Sequence, residues 1–359
     1  MTIKTAAPES LQIVPGKGGV RVPLPRFINL GGEWGYIVAS ARPNNGGSYN
    51  LTNFIGFPAF FEPREKDQQF NDTRTLMERN SEDNRNENHG FQCWSELWGK
   101  HEGEILVIAS CGPSLTESLP LLYKHRSKFR LLCLNRSHRA FMDPEVKPDY
   151  FYFVERRGVP DWAHEVDGRG APGRPLDLSG ITMIGTPQCD PRIVRRFDRD
   201  RRYWGWTSLG ALGHLDYVAR LKSYDVKAAT TIGNAPYIGY RLGFSRIIFV
   251  GCDFSLVCRA EEDEKGNKTI APRRMYFDRL WEHTHYAQDP FWRTKLNPII
   301  GIDGKACLAD AQLIGYKDFF SAVLDIVQFE GGVECINASP RGILNWNVRA
   351  LGEVLEELA

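Results

Sequence analysis

The sequence has no long hydrophobic run. No window approaches the roughly 18 uninterrupted apolar residues that indicate a membrane-spanning helix. The first residues, MTIKTAAPESLQ, lack the apolar segment of a secretory signal. The net charge of +1 provides no overall field that would attract nucleic acid or a bilayer. We therefore expect a soluble, cytoplasmic protein with no membrane span, and nucleic acid is not an expected partner.

Several motifs of well-known catalytic sites are also missing. The chain contains 8 cysteines but no CxxC pair, and several of them lie in apolar runs such as LLCLN and VECIN, which predicts reduced core residues. No HExxH element, GKS/T P-loop or GxSxG turn occurs. The spacing of cysteine and histidine does not match a zinc site. These absences argue against common metalloprotease, P-loop and α/β-hydrolase chemistry.

Apolar strand candidates alternate with helical patterns from residue 104 onward. The predicted strands are Ile105–Ser110, Phe129–Leu134, Tyr150–Val154, Ile181–Gly185, Arg246–Val250 and Val333–Ile336. Helical patterns lie near 115–126, 208–222, 233–242, 312–329 and 343–358. Continuous apolar strands that alternate with helices predict an α/β fold, with a Rossmann-like, mostly parallel sheet and helices on both faces.

Two regions are predicted on this basis. Residues 1–100 form an N-terminal extension of irregular or short elements, and it includes the polar stretch 62–90, which is typical of an exposed helix or a mobile linker. Residues 101–359 form the Rossmann-like nucleotide-binding transferase domain. The extension could be a domain of its own, the contact of a homo-oligomer or an acceptor-binding platform, and the sequence leaves all three open.

Polar residues follow the predicted strands at their carboxyl ends, where ligands bind in open α/β sheets. The first strand leads into Ser110-Cys-Gly-Pro-Ser114, and the second leads into Asn135. Glu155 follows the third, and Gly251-Cys-Asp253 follows the fifth. Their recurrence at equivalent positions predicts one shared ligand site at this edge.

The Gly112-Pro113-Ser114 turn opens a predicted helix. Ser114 with Glu117 has the spacing of a capping box, and the free N–H groups of a helix start attract phosphate. A well-capped strand-to-helix turn without a ligand explains the same residues. A second turn, Thr230-Thr-Ile-Gly-Asn234, also precedes a helix and suits a ribose, base or phosphate.

The segments ILVIASCGPSL, LLCLNRS, KPDYFYFVE, TTIGNAPYIGYRLGFSRIIFVGCDFS and GIDGKACLADAQLIGYKDFFSAVLDIVQFEGGVECINAS occur in this order. Together they resemble the motility-associated-factor glycosyltransferase-like family, which includes archaeal hydroxymethyl-pterin diphosphokinases. A more distant similarity is to bacterial sialyltransferases that use CMP-sugars.

The resemblance implies a nucleotide-binding site on matching positions. The implied nucleotide contacts are Ser110, Gly112, Pro113, Ser114, Asn135, Glu155, Thr231, Gly233 and Asn234. Asp253 and Glu155 are candidate ligands of Mg²⁺, and Asp253 is also a candidate catalytic residue. The sialyltransferases use a histidine base, for which His283 and His285 are the nearest candidates here. A surface or packing role is the favoured alternative for both, and metal binding is a further one.

One departure concerns the nucleotide. Users of CMP-sialic acid have Gly-Asn before Gly-Pro-Ser, where this chain has Ser110-Cys111. A cysteine cannot supply the donor and acceptor of an amide, so the cytidine contact does not carry over.

The arginine-rich run PRIVRRFDRDRRYWGW permits two interpretations. It could bind an anionic donor or nucleic acid through phosphate pairing. A solvated helix face with Asp198 and Asp200 as internal partners is the favoured alternative.

The expected function is that of a nucleotide-dependent transferase. The leading hypothesis is a glycosyltransferase with a nucleotide-sugar donor of CMP-nonulosonate type and an acceptor that the sequence does not identify. The second is Mg²⁺-dependent diphosphoryl transfer from ATP to a pterin-like alcohol, and the third is a non-catalytic Rossmann-like scaffold. The expected cofactor is a nucleotide or nucleotide sugar, with Mg²⁺ in the second case.

Overall fold

The computed structural model describes most of the chain, and all structural statements below refer to that part. The described residues are 27–29, 34–36, 40–43, 49–52, 63–88, 91–135, 137–141, 146–156, 178–205, 231–262, 268–273, 297–309 and 311–358. The helix predicted near 208–222 lies outside these residues, as do His283 and His285.

The amino-terminal part forms small antiparallel pairs followed by a long helix. The strands are β1 Phe27–Asn29, β2 Trp34–Tyr36, β3 Ser40–Pro43 and β4 Tyr49–Thr52. Strand β1 pairs with β2, and β3 pairs with β4. The polar stretch forms helix α1, Pro63–Asn88.

The centre of the molecule is an eight-stranded parallel sheet. Its members in chain order are β5 Gln92–Cys93, β6 Ile105–Ala109, β7 Arg130–Leu134, β8 Tyr150–Phe153, β9 Thr182–Gly185, β10 Arg202–Trp204, β11 Arg246–Val250 and β16 Glu334–Asn337. They lie in the order β16-β11-β6-β7-β8-β9-β10-β5, and every neighbouring pair is parallel. All six strands predicted from the apolar runs are present. The sequence pattern missed β5 and β10, which have two and three residues and are too short to show a period.

Four strands form two antiparallel hairpins between β11 and the last long helix. The first hairpin joins β12 Val257–Glu262 to β13 Lys268–Arg273, and the second joins β14 Asn297–Ile300 to β15 Ala306–Ala309. A bridge between Leu256 and Leu308 connects the second hairpin to the chain leaving β11.

The other α-helices in the described segments are α2 Leu115–Lys124, α3 Pro191–Val194, α4 Thr231–Leu242, α5 Ala311–Gly331 and α6 Leu351–Glu356. Short 3-10 turns lie at Trp94–Leu97, Arg126–Lys128, Ser137–Phe141 and Arg199–Arg201. The predicted helices at 115–126, 233–242 and 312–329 are confirmed. The pattern at 343–358 forms a helix only over Leu351–Glu356.

Helices cover both faces of the sheet, as the continuous apolar strands predicted. Leu106 and Ile108 point into a core with α4 and α5, whereas Val107 and Ala109 point into a second core with α2 and α6. All four side chains are fully buried, because successive strand residues face opposite sides. The α/β, Rossmann-like fold class is therefore confirmed.

The order of strand addition reverses at β6. The chain passes from β6 to β7 and then outward on one side, whereas α4 brings it back to β11 on the other side. Such a switch point opens a crevice beyond the carboxyl ends of the strands, where ligands bind in this architecture.

Among the described residues, no helix combines the length and the apolar character needed to cross a membrane.

Candidate functional site

Two turns meet at the switch point between β6 and β11. The N–H of Ser110 donates to the carbonyl of Val250 (2.9 Å), and the N–H of Gly112 donates to the carbonyl of Gly251 (2.9 Å). These bonds continue the strand pairing beyond the sheet, so the two turns run side by side. The sequence placed both at one edge, and the structure brings them into contact.

Asp253 and Ser114 form a buried pair between these turns. The backbone N–H of Ser114 donates to Asp253 Oδ2 (2.7 Å), and its hydroxyl donates to Asp253 Oδ1. Ser114 is 0% and Asp253 1% exposed. The predicted capping box is wrong, because the Ser114 side chain bonds Asp253 and makes no cap hydrogen bond. Glu117 instead pairs with Arg341 (2.8 Å).

Burial raises the pKa of Asp253 to about 7, and the hydrogen bonds from Ser114 partly offset this effect. Glu117 raises the pKa further, whereas Arg341 lowers it. Burial therefore favours the protonated carboxyl group over the carboxylate at this position. Both of its oxygens accept hydrogen bonds from Ser114, so Asp253 joins the two turns, and its catalytic role stays a prediction.

Gly112 is needed for the contact between the two turns. A Cβ atom at this position would lie 2.5 Å from the Gly251 carbonyl oxygen and 2.6 Å from Asp253 Oδ2. Those distances are well inside van der Waals contact, and the first atom belongs to the backbone. The lone glycine of the turn therefore permits close packing against Asp253. Ser110, Cys111, Gly112 and Pro113 remain partly exposed at the edge.

A second polar cluster joins three separate segments. Asn135 Nδ2 donates to Glu155 Oε1 (2.8 Å) and to Thr231 Oγ1 (3.0 Å). The Asn135 Oδ1 accepts from the N–H of Val154 (3.4 Å). Asn135 follows β7, Glu155 follows β8 and Thr231 begins α4. The three residues were singled out separately in the sequence, and the structure brings them together on one amide.

Asn234 points away from this cluster and into the core. Its Nδ2 donates to the hydroxyl of Tyr152 (2.9 Å), and both side chains are buried at 2% and 0% exposure. Burial raises the pKa of Tyr152, so the hydroxyl stays protonated. Gly233 is buried as well. The prediction of a turn before the helix is wrong, because Thr231–Asn234 is the first turn of α4 itself; of these residues, Thr231 contacts Asn135.

Helix α1 supports the cluster, a role that sequence reasoning missed. Asn80 Nδ2 donates to the carbonyls of Arg156 (2.8 Å) and Gln188 (2.9 Å). Asn84 Nδ2 donates to the carbonyls of Pro187 (2.9 Å) and Cys189 (2.8 Å). The loop that contains Pro187, Gln188 and Cys189 also contacts the polar cluster, because the N–H of the next residue, Asp190, donates to the carbonyl of Glu155 (3.0 Å).

The signal for this contact was present in the sequence. Asn80, Asn84 and Asn88 are four residues apart, a spacing that places side chains on one face of a helix. Amide side chains in such a row can donate to the backbone carbonyls of a neighbouring segment.

The assignment of Asp253 and Glu155 as Mg²⁺ ligands stays a prediction. Among the described residues, no group of three or more His, Cys, Asp or Glu side chains is arranged to hold a metal ion. Glu155 lies at the edge with Oε1 bonded to Asn135, whereas Asp253 is engaged by Ser114. The catalytic role predicted for His283 and His285 falls outside the described residues and likewise stays a prediction.

The cysteines whose side chains the structure describes are all free. Burial raises the pKa of Cys133 and Cys335, the latter to about 12. Both thiols are therefore protonated core residues, as the apolar runs around them predicted.

A solved structure shows similarity to this chain. The MAf glycosyltransferase from Magnetospirillum magneticum AMB-1 has 14% sequence identity and a TM-score of 0.46, over 72% of this chain. This chain spans 37% of the length of that protein. The chain has no match among curated proteins.

A family model matches the part of the chain that holds the site. Residues 79–257 match the family described as MptE-like, 6-hydroxymethylpterin diphosphokinase MptE-like. The matched range contains α1 from Arg79 onward and every residue of the two clusters except Arg341. The family that the ordered motifs predicted is therefore confirmed, with residues 79–257 as the MptE-like part of this chain.

Proposed function

We propose that this chain is a nucleotide-dependent transferase. Its nucleotide substrate would bind to Asn135, Glu155 and Thr231. The observation that carries the proposal is the pair of hydrogen bonds from Asn135 Nδ2 to Glu155 and Thr231. They gather polar groups from two strand ends and a helix start at one crevice, which is the usual ligand position of this fold.

Each group has a chemical use toward a nucleotide. The N–H groups at the start of α4 and the Thr231 hydroxyl can donate to phosphate oxygens. Glu155 Oε2 can accept from a ribose hydroxyl. The partly exposed turn Ser110–Pro113 lies at the same edge of the sheet. These contacts would orient the donor without any movement of the buried Asp253.

Diphosphoryl transfer from ATP to a pterin-like alcohol is the first candidate reaction, and the MptE-like match favours it. The alcohol oxygen forms a bond with the β-phosphorus of ATP, and AMP leaves. Mg²⁺ would supply charge neutralisation on the phosphates. Glu155 and the phosphates of ATP could both coordinate the ion, since Mg²⁺ is commonly bound by only one or two protein carboxylates.

Glycosyl transfer from a nucleotide sugar is the second candidate. The ordered motifs from Ser110 to Asp253 favour it, because they resemble those of the glycosyltransferase-like family. Such transfer needs a base at the acceptor and positive groups at the leaving phosphate. A CMP-nonulosonate-like donor and a base at His283 or His285 are the specific form of this proposal.

Thermal shift with CMP, UDP, GDP and ATP, each with and without Mg²⁺, separates the candidates. We expect ATP with Mg²⁺ to stabilise the protein by about 2.7 kcal/mol at 100 times Kd. Thr231→Val keeps the side-chain shape but removes the hydroxyl, and should weaken ATP binding about tenfold, the loss expected for a hydrogen bond to a charged group. Incubation with ATP and a pterin alcohol should then release AMP, which ³¹P NMR detects.

Thr182→Val is the matched control, because Thr182 begins β9 at the opposite edge of the sheet and should leave nucleotide affinity unchanged. Stabilisation by CMP or UDP without Mg²⁺ would support glycosyl transfer instead. If none of the nucleotides shifts the melting temperature, the proposed function is wrong and the scaffold hypothesis is favoured.

A further inference from the structure

A second cleft lies beside β10 and β5, the last two strands at one edge of the sheet. It has a volume of about 300 Å³, at the lower end of the range for small-molecule sites. Its lining residues are Asn88, Gln92, Arg199, Asp200, Arg202 and Trp204. They come from the end of α1, from both strands and from the turn that precedes β10.

Arg202 brings a buried positive charge to this cleft. The residue is 8% exposed, and the acceptors of its guanidinium group among the described residues are all neutral. Nε and Nη2 donate to the carbonyl of Phe197 (3.0 and 2.7 Å), and Nη2 also donates to that of Arg195 (3.3 Å). Nη1 donates to Asn88 Oδ1 (2.9 Å).

This pattern leaves one donor of Arg202 unused. A guanidinium group carries five N–H bonds, and the four contacts leave one hydrogen of Nη1 without an acceptor among the described residues. Nη1 is the nitrogen that bonds Asn88, which also lines the cleft. The nearby carboxylates are engaged elsewhere: Glu87 with Arg195 (2.7 Å), and Asp198 with the N–H of Gly180 (2.6 Å).

Trp204 adds a second unused donor. Its side chain is fully buried, packs edge-on against Phe91 with ring centroids 4.9 Å apart, and lines the cleft. The indole Nε1–H has no hydrogen-bond acceptor within the described part of the chain. A buried donor without an acceptor opposes folding, so an acceptor at this position would be stabilising.

The mouth of the cleft has a further cation. Arg199 is exposed and forms no ion pair in the segments that the structure describes. Gln92 contributes an exposed amide, and Asp200 is the one carboxylate of the lining. Two guanidinium groups against one carboxylate leave the cleft positive.

We propose that this cleft binds a small anion through a phosphate or carboxylate group, with Arg202 and Trp204 as the inner donors and Arg199 at the mouth. Charge-assisted hydrogen bonds of this type are about twice as strong as neutral ones. The anion would satisfy both unused donors and compensate the buried charge of Arg202. This site is separate from the proposed nucleotide site and does not depend on it.

Isothermal titration of the full chain at about 0.15 M ionic strength, where charges beyond about 8 Å are largely screened, tests the proposal. The probes are inorganic phosphate and methyl phosphate, together with the carboxylates acetate and succinate. The comparison shows whether the cleft prefers a phosphate or a carboxylate group. We expect saturable one-to-one binding of at least one of the two classes of anion, the phosphates or the carboxylates. Arg199→Gln and Trp204→Phe should each weaken it about tenfold, as expected for loss of a hydrogen bond to an ion. Asp200→Asn should strengthen it several-fold, because it removes the like charge.

Arg201→Gln is the matched control. Arg201 is an exposed neighbour with the same charge, but it contacts Asp198 and the carbonyl of Gly180 and does not line the cleft. It should change the affinity less than about twofold, as expected for a screened surface charge. The Trp204 indole N–H resonance should shift downfield as the anion binds and should be missing in Trp204→Phe.

Three results would overturn the proposal. The first is no saturable binding of any probe at tens of millimolar. The second is an equal loss in Arg199→Gln and Arg201→Gln, which would indicate a diffuse charge effect. The third is binding without a shift of the indole resonance. Since Arg199 and Arg201 are exposed, neither variant depends on repacking of the core.

Discussion

At the scale of the residue, Asp253 is the most unusual group at the carboxyl edge of the sheet. It is a buried carboxyl whose two oxygens are occupied by Ser114, and burial brings its pKa to about 7. Ionisation therefore opposes folding at this position, since the charged form loses more on transfer out of water than two hydrogen bonds return. The contact joins the turn after β6 to the turn after β11.

Removal of the Asp253 charge should make stability less dependent on pH. The pKa of Asp253 is raised on folding from 3.8 to about 7, so the folded state binds this proton more tightly than the unfolded state. Its contribution to the free energy of unfolding is fully present below about pH 4 and is lost as pH rises to 7, by up to roughly 4 kcal/mol. Asp253→Asn should lack this loss, which urea unfolding between pH 4 and 8 would measure.

Ser114→Ala serves as the companion variant. It removes the hydroxyl bond that lowers the pKa of Asp253, so the loss of stability should extend to higher pH than in the unmodified chain. A constant difference between the unmodified chain and Asp253→Asn across this range would contradict the assignment.

At the scale of the element, α1 is a polar helix that packs through hydrogen bonds. Asn80 and Asn84 are 5% and 0% exposed, and each amide donates to two carbonyls of the loops beside the candidate site. A helix without an apolar stripe is normally solvated. Here the amide stripe satisfies loop carbonyls that would otherwise be buried without donors.

Loss of one amide of this stripe should destabilise the fold. Asn84→Ala leaves the buried carbonyls of Pro187 and Cys189 without their donor, which should lower the free energy of unfolding by about 2–4 kcal/mol. Arg79→Ala changes an exposed position of the same helix and should have an effect within about 0.5 kcal/mol. Urea unfolding of both variants measures the difference, and equal effects would show that the stripe is not structural.

At the scale of the whole molecule, the sheet includes residues before position 101. Strand β5 pairs with β10 in parallel, with Gln92 opposite Tyr203 and Cys93 opposite Trp204. Trp94 and Leu97 then enter the core beside α4 and α5. The predicted region 1–100 thus contributes an edge strand, core side chains and α1 to the sheet of the following region.

Truncation of the chain should reveal this dependence. A protein of residues 63–359 retains α1, β5 and Trp94, whereas one of residues 101–359 loses all three. Removal of the fully buried Trp94 side chain alone should cost about 3–5 kcal/mol, and the shorter protein should melt roughly 10 °C lower than the longer one. Differential scanning calorimetry gives both values, and equal melting temperatures would show that residues 63–100 are dispensable for the fold.

The sequence by itself determined the fold class, six of the eight sheet strands and the polar residues at the strand ends. Those features are local: a continuous apolar run predicts a strand buried on both faces, and the residues after it lie at the edge of the sheet. The family could be identified for the same reason, because each of its motifs is a short contiguous segment and their order follows the chain.

Only the tertiary structure decided which of those polar residues meet. Ser114 and Asp253 are 139 positions apart, and Asn135 and Thr231 are 96 apart. Their contacts depend on the strand order and register, which a local pattern does not contain. The same holds for the donors of Arg202 and Trp204 that find no acceptor within the described segments, because the packing of distant segments sets whether a polar group is buried and with which partner.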